Sequence, residues 1–131
     1  MIVDASAILA ILLEEPDGDR MEDALLLSPD RHHVMSPVNY LEAAVRLDNL
    51  KNSDKGAELD NLISDFGINL VQVTPRHARL AREAYRQFGR GNHKAKLNLG
   101  DCFAYALSKA RGEPLLFKGE DFRLTDVEAA V

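Results

Sequence analysis

Four acidic residues stand in settings that do not suit a plain surface charge. Asp4 directly follows the apolar pair Ile2-Val3, and Glu42 lies within Leu41-Glu42-Ala43-Ala44-Val45. Asp101 follows Gly100 and precedes the apolar stretch Phe103 to Ala110, while Asp121 falls in Lys118-Gly119-Glu120-Asp121-Phe122, just after Leu115-Leu116-Phe117. A carboxylate is rarely buried without a partner, and two of them about 4 Å apart repel by roughly 4 kcal/mol at an effective dielectric near 20. Three or four gathered together therefore require a cation. All-oxygen ligands select Mg²⁺ or Mn²⁺, hard ions that retain some water and can accept phosphate oxygens. Hydrolysis of a phosphodiester is the chemistry such a set suits, because the ion polarises the phosphoryl group and lowers the pKa of a bound water.

Each acid taken singly also has a plainer reading. Asp4 can cap the helix that follows it. Glu42 has Arg46 four residues later, the favourable order for a surface helix pair contributing about 0.2 to 0.5 kcal/mol. Asp101 can be a first-turn acid held ionised by the helix dipole, and Glu120 and Asp121 can solvate a loop. The specificity lies in the combination, so the elements that would bring the four together matter most.

Ile2-Val3-Asp4 reads as a short buried strand and Ala5 to Leu13 as a helix halted ahead of Pro16. Asp17 to Leu27 is helical, His33-Val34-Met35 strand-like, and Ser36-Pro37 opens a helix to about Leu50 with Val38, Leu41 and Val45 as its apolar face. Leu59, Leu62, Ile63 and Phe66 mark a helix closed by Gly67, followed by a strand over Leu70 to Val73. Thr74-Pro75 starts another helix, with Leu80, Ala81, Ala84, Tyr85 and Phe88 on one side and Arg79, Arg82, Arg86 and Arg90 on the other. After a polar loop from Gly89 to Asn98 come a helix from Gly100 to Arg111, ended by Gly112, and the strand Leu115 to Phe117. Strands alternating with helices predict an α/β fold of three α/β/α layers around a mainly parallel sheet. Ligands of such sheets sit beyond the carboxyl ends of the strands, where Asp4 and Asp121 belong.

The 131 residues suit a single domain, 1–131, with one main core. Cys102 is the one cysteine, which rules out an internal disulfide and zinc-ligand spacing and fits a reducing cytoplasm. The apolar run Ala5 to Leu13 is too short to span a bilayer, so no membrane association is expected. A net charge of −5 weighs against nucleic acid as a partner, yet Arg76 to Lys96 carries seven cationic side chains against Glu83 alone.

The opening Met1-Ile2-Val3-Asp4-Ala5-Ser6 resembles the first motif of the PIN-domain family. Ser36-Pro37-Val38-Asn39-Tyr40-Leu41-Glu42 resembles its second, Leu99-Gly100-Asp101-Cys102-Phe103-Ala104-Tyr105-Ala106-Leu107 its third, and Leu115 to Phe122 with Thr125-Asp126 its fourth and loosest. The likeness covers nearly the whole chain and is strongest to the VapC toxins of that family. It implies a PIN-like fold and a Mg²⁺ or Mn²⁺ site built from Asp4, Glu42, Asp101 and Asp121, with Glu120 the alternative to Asp121. It further implies endonucleolytic cleavage of RNA, neutralisation by a VapB-type antitoxin, and a homodimer. Ser6 and Thr125 are candidates to orient metal-bound water or are local caps.

Candidate RNA contacts are Arg86 on the arginine stripe and His93, Lys94 and Lys96 in the loop before Asp101; the stripe is equally a solvated helix face. His32 and His33 should point to opposite faces of their strand, and Cys102 reads as a small buried residue. Three rival functions stand beside this reading. A phosphoacceptor receiver domain would share the βα repeats and a Lys such as Lys118, but needs an acceptor Asp after the middle strand, and Leu70 to Thr74 has none. A phosphatase with an aspartyl nucleophile would need a second acid where Ser6 stands, and a non-catalytic binding module of the same fold is separated only by assay.

Overall fold

The computed structural model describes residues 1–131. Its elements run β1 Ile2–Val3, α1 Ala5–Leu12, α2 Gly18–Leu27, β2 His33–Met35, α3 Pro37–Asp48, α4 Lys55–Asp65, β3 Ile68–Leu70, α5 Pro75–Phe88, α6 Leu99–Arg111 and β4 Leu115–Leu116, then a 3₁₀ turn at Asp121–Leu124. The strands form one parallel sheet in the order β3-β2-β1-β4. Because side chains alternate along a strand, Ile2, Val34 and Leu115 join the core with α5 and α6, while Val3, Met35 and Leu116 join the core with α1, α2, α3 and α4. The sheet is covered on both faces, as expected for parallel strands.

Local chemistry sets most boundaries. Ser36 accepts from the Val38 amide and Thr74 from that of His77, each followed by a first-turn proline, and Gly112 closes α6 in the left-handed region at φ 63°. No helix is long and apolar enough to cross a membrane. Two expectations need correction. The third strand is Ile68–Leu70 rather than Leu70 to Val73: Gly67, at φ 63°, turns the chain at once into register with His33, and beyond the Val71 amide, which still donates to the Met35 carbonyl, the backbone leaves the sheet toward the Thr74 cap.

The second concerns α3, whose fully buried positions are Asn39, Ala43 and Leu47, whereas Leu41 and Val45 are exposed. The helix is turned so that a polar residue, Asn39, takes one of the buried positions. On α5 the packing face is Ala81, Ala84 and Phe88, with Tyr85 exposed. The chain end, not assigned from sequence, runs parallel to β4: the Leu115 amide donates to Glu128 and the Ala130 amide to Leu115. His32 is exposed and His33 buried, its Nε2 at 3.0 Å from the Leu25 carbonyl oxygen.

Candidate metal centre

In this strand order the chain leaves β1 toward β2 on one side, while β4 lies on the other, so the sheet's switch point falls between β1 and β4. Ligands of open parallel sheets sit at such a point, beyond the strand ends. Asp4 stands there, directly after β1, and is 3 % exposed. It is the N-cap of α1, and one oxygen, Oδ2, accepts from the Ser6 amide (3.0 Å) and the Ser6 hydroxyl (2.6 Å). The Lys118 amide in turn donates to Ser6 Oγ (3.0 Å), which ties the exit of β4 to the carboxylate. Asp4 Oδ1 is buried and has no hydrogen-bond partner. The helix-cap reading thus accounts for one oxygen and leaves the other over.

Glu42 does not pair with Arg46, which is exposed and in no ion pair. Its half-buried carboxylate lies against the start of α6: a Cβ on Gly100 would fall 2.4 Å from Glu42 Oε2. Asp101, one residue on, closes a reciprocal cap with Asn98, its Oδ2 accepting from the Asn98 amide (3.0 Å) and its own amide donating to Asn98 Oδ1 (2.9 Å).

The acids register on one another's charge in pairs. Burial pushes Asp4 up to about 6 against the Ser6 hydrogen bonds, and the Glu42 charge adds to the rise. Glu42 is raised by burial and by Asp101. Asp101 is pushed up to about 6 by burial, with Asp4 and Asp121 contributing. Each acid therefore disfavours the ionised form of the next. Asp121 is exposed at the head of the 3₁₀ turn, and its charge registers at Asp101; Glu120 leans instead toward Arg123, 4.0 Å away.

The four do not close into a set of three or more ligands around one point. Their charges register in pairs, and Asp101 is turned toward its cap. The donor chemistry still suits a hard divalent cation, because the oxygens are carboxylates and the deepest of them lacks any partner.

The remaining candidates fall elsewhere. Thr125 Oγ1 donates to the Phe122 carbonyl (2.6 Å) and accepts from the Val127 amide (3.3 Å), so its hydroxyl folds the local turn. His93 Nδ1 accepts from the Ala95 amide (3.0 Å) and its ring meets Phe88 edge-on at 5.2 Å, which makes it a loop-shaping residue. Lys94, Lys96 and Arg86 are exposed. Cys102 is buried, its thiol pushed up to about 11 by burial, and it is no nucleophile. Sequence reasoning missed Asn39, whose amide touches both Glu42 and Gly100; no local signal marks it, because the stripe Val38, Leu41, Val45 is the more apolar one.

The fold is a doubly covered parallel α/β domain with the buried carboxylate of Asp4 at its switch point. The PIN domain model matches residues 1–128. The "Ribonuclease VapC" of Mycolicibacterium smegmatis is 48 % identical over 129 residues, covering 98 % of each chain. "Ribonuclease VapC30" of Mycobacterium tuberculosis is 45 % identical over 127 residues, 97 % of this chain and 95 % of that protein. The crystal structure of Mycobacterium tuberculosis VapC20, described as a Sarcin-Ricin loop cleaving toxin, superposes with a TM-score of 0.76 over 96 % of this chain and 95 % of that one, at 15 % identity. The chain belongs to the PIN-domain family, and its full-length relatives place it on the VapC branch.

Proposed function

We propose that this protein is a Mg²⁺- or Mn²⁺-dependent endoribonuclease, the toxin of a toxin–antitoxin pair, restrained by a VapB-type antitoxin. The observation that carries the reading is the unpartnered, buried Asp4 Oδ1 at the switch point, on a carboxylate already in the field of Glu42. Asp4, Glu42, Asp101 and Asp121 would hold the ion. When bound, it would polarise the scissile phosphoryl group and supply a water of lowered pKa. The chain's own contribution is placement: Ser6 fixes the orientation of Asp4 through Oδ2 and leaves Oδ1 free, while the Asn98 cap keeps Asp101 at the N-terminus of α6, whose dipole favours the ionised form.

Arg79, Arg82 and Arg86 on α5 and Arg90 just beyond it are all exposed, and none is in an ion pair. This unpaired cationic face supports RNA as the substrate of an otherwise acidic protein. Leu41, next to Glu42, Leu99, two residues before Asp101, and Val45 are exposed apolar side chains. Such side chains flanking the acids support a protein partner that covers them, which is what an antitoxin must do; pairing of two copies belongs to the same proposal and is checked by light scattering.

The test is cleavage of RNA by the antitoxin-free protein with Mg²⁺, with Mn²⁺ and with EDTA. Cleavage is expected with either ion and not with chelator; its absence under all three ends the enzymatic reading in favour of a binding module. Arg86→Glu is expected to weaken RNA binding about five- to tenfold at low salt, with the deficit shrinking as salt rises. Equal affinity of both proteins across the salt series would assign the stripe to solvation.

A further inference from the structure

Glu42 lacks a cationic partner, so something else must fix its carboxylate. Asn39, three residues earlier on α3, is fully buried. Its Nδ2 donates to the Gly100 carbonyl at 2.9 Å and to Glu42 Oε1 at 3.3 Å. Both neighbours are acceptors, so the amide orientation is determined: the flipped form would set its oxygen against a carbonyl and a carboxylate. From the other side, Glu42 occupies the space a side chain at position 100 would fill, with both its oxygens and Cδ within 2.7 Å of where that Cβ would be. Asp101 is the next residue of α6. An amide on one helix and a missing side chain on another thus hold the Glu42 carboxylate against the start of α6, within reach of the Asp101 charge.

Asn39 is a poor choice for packing alone. Its Oδ1 is buried without a partner, an arrangement that an apolar residue of similar size would avoid. We infer that Asn39 and Gly100 form a brace that sets Glu42 beside Asp101, with Asn39 a positioning residue for the divalent-cation site. The inference rests on reading these acids as that site.

The experiment uses the full chain as wild type, Asn39→Leu and Gly100→Ala. Mn²⁺ binding is followed without RNA by the electron paramagnetic resonance of free Mn²⁺, with melting curves in EDTA and cleavage across a Mn²⁺ series. Removing an outer partner of a metal ligand weakens the metal by about 10- to 100-fold. Both variants are expected to lose Mn²⁺ affinity in that range and to need correspondingly more Mn²⁺ for half-maximal cleavage, while Gly100→Ala melts in EDTA no lower than wild type. A merely structural hydrogen bond between α3 and α6 would lower the EDTA melt and leave Mn²⁺ affinity alone. If Asn39→Leu does not fold, Gly100→Ala decides by itself. Wild-type Mn²⁺ affinity in the folded variants, beside a wild type that binds Mn²⁺ and cleaves, overturns the brace only. A wild type that neither binds Mn²⁺ nor cleaves overturns the site reading, and the brace's role falls with it.

Discussion

Asp4→Asn and Asp101→Asn each lower metal-supported RNA cleavage by about a thousandfold or more, while both proteins stay folded. The substitutions retain size and local hydrogen bonding. Asparagine caps a helix about as well as aspartate, so the side-chain oxygen of residue 4 can still accept from Ser6, and that of residue 101 from the Asn98 amide. What disappears is one negative charge and one ligand oxygen, at the two positions where burial and neighbouring acids most strongly call for a cation. Asp121→Asn should cost far less, about tenfold, because Asp121 is exposed at the rim and can act through water. Cleavage rates with saturating Mg²⁺, beside far-ultraviolet circular dichroism of each variant, check this. Undiminished cleavage by Asp4→Asn would remove that residue from the site.

The parts of this arrangement written in local chemistry are legible in the sequence. Ser36-Pro37, Thr74-Pro75 and Gly112 mark helix ends because the hydroxyl cap, the missing proline N–H and the left-handed glycine act within one turn. Asp4 is legible for a similar reason: an acid directly after an apolar strand pair in an alternating α/β chain has to stand at the functional edge. What depends on the facing element is not legible. The stripe Val38, Leu41, Val45 and the stripe Asn39, Ala43, Leu47 both fit helical spacing, and the first is the more apolar, yet α3 buries the second, with Asn39 hydrogen-bonded to Gly100. Thr125 and His93 carry polar groups suited to a site, and only the fold shows that neighbouring backbone atoms occupy them. The strand at Ile68 begins earlier than its apolar residues suggest, since the register is set by β2 and the Gly67 turn rather than by its own side chains.

The same buried charge has a consequence for stability that runs opposite to its value for catalysis. In the unfolded chain Asp4 titrates near its ordinary 3.8, and in the folded protein at about 6. Between those values the native state binds more protons than the unfolded state, so this residue's contribution makes stability fall as pH rises from about 4 to about 6, and the penalty is complete above that. The displacement corresponds to about 3 kcal/mol at most. His33, held below its ordinary value by burial, acts in the reverse direction over part of this range, while Glu42 and Asp101, both raised, act in the same direction as Asp4; the difference between two proteins cancels His33 and reports Asp4 together with the share of its neighbours' shifts that its charge causes. In EDTA, Asp4→Asn should become progressively more stable than wild type as pH is raised from 4 to 6.5, by a margin on the order of 10 °C in melting temperature at the upper end. Mg²⁺ should then close the gap. At a hundred times its dissociation constant an ion bound only to the native state adds about 2.7 kcal/mol, and it should do so for wild type above pH 6 but barely for Asp4→Asn. Calorimetric melts of both proteins with and without Mg²⁺ read all four corners. A gap that does not change with pH would mean that Asp4 is no more costly ionised than protonated. The carboxylate would then be adequately solvated in the native protein, and the case for a resident cation would lose its foundation.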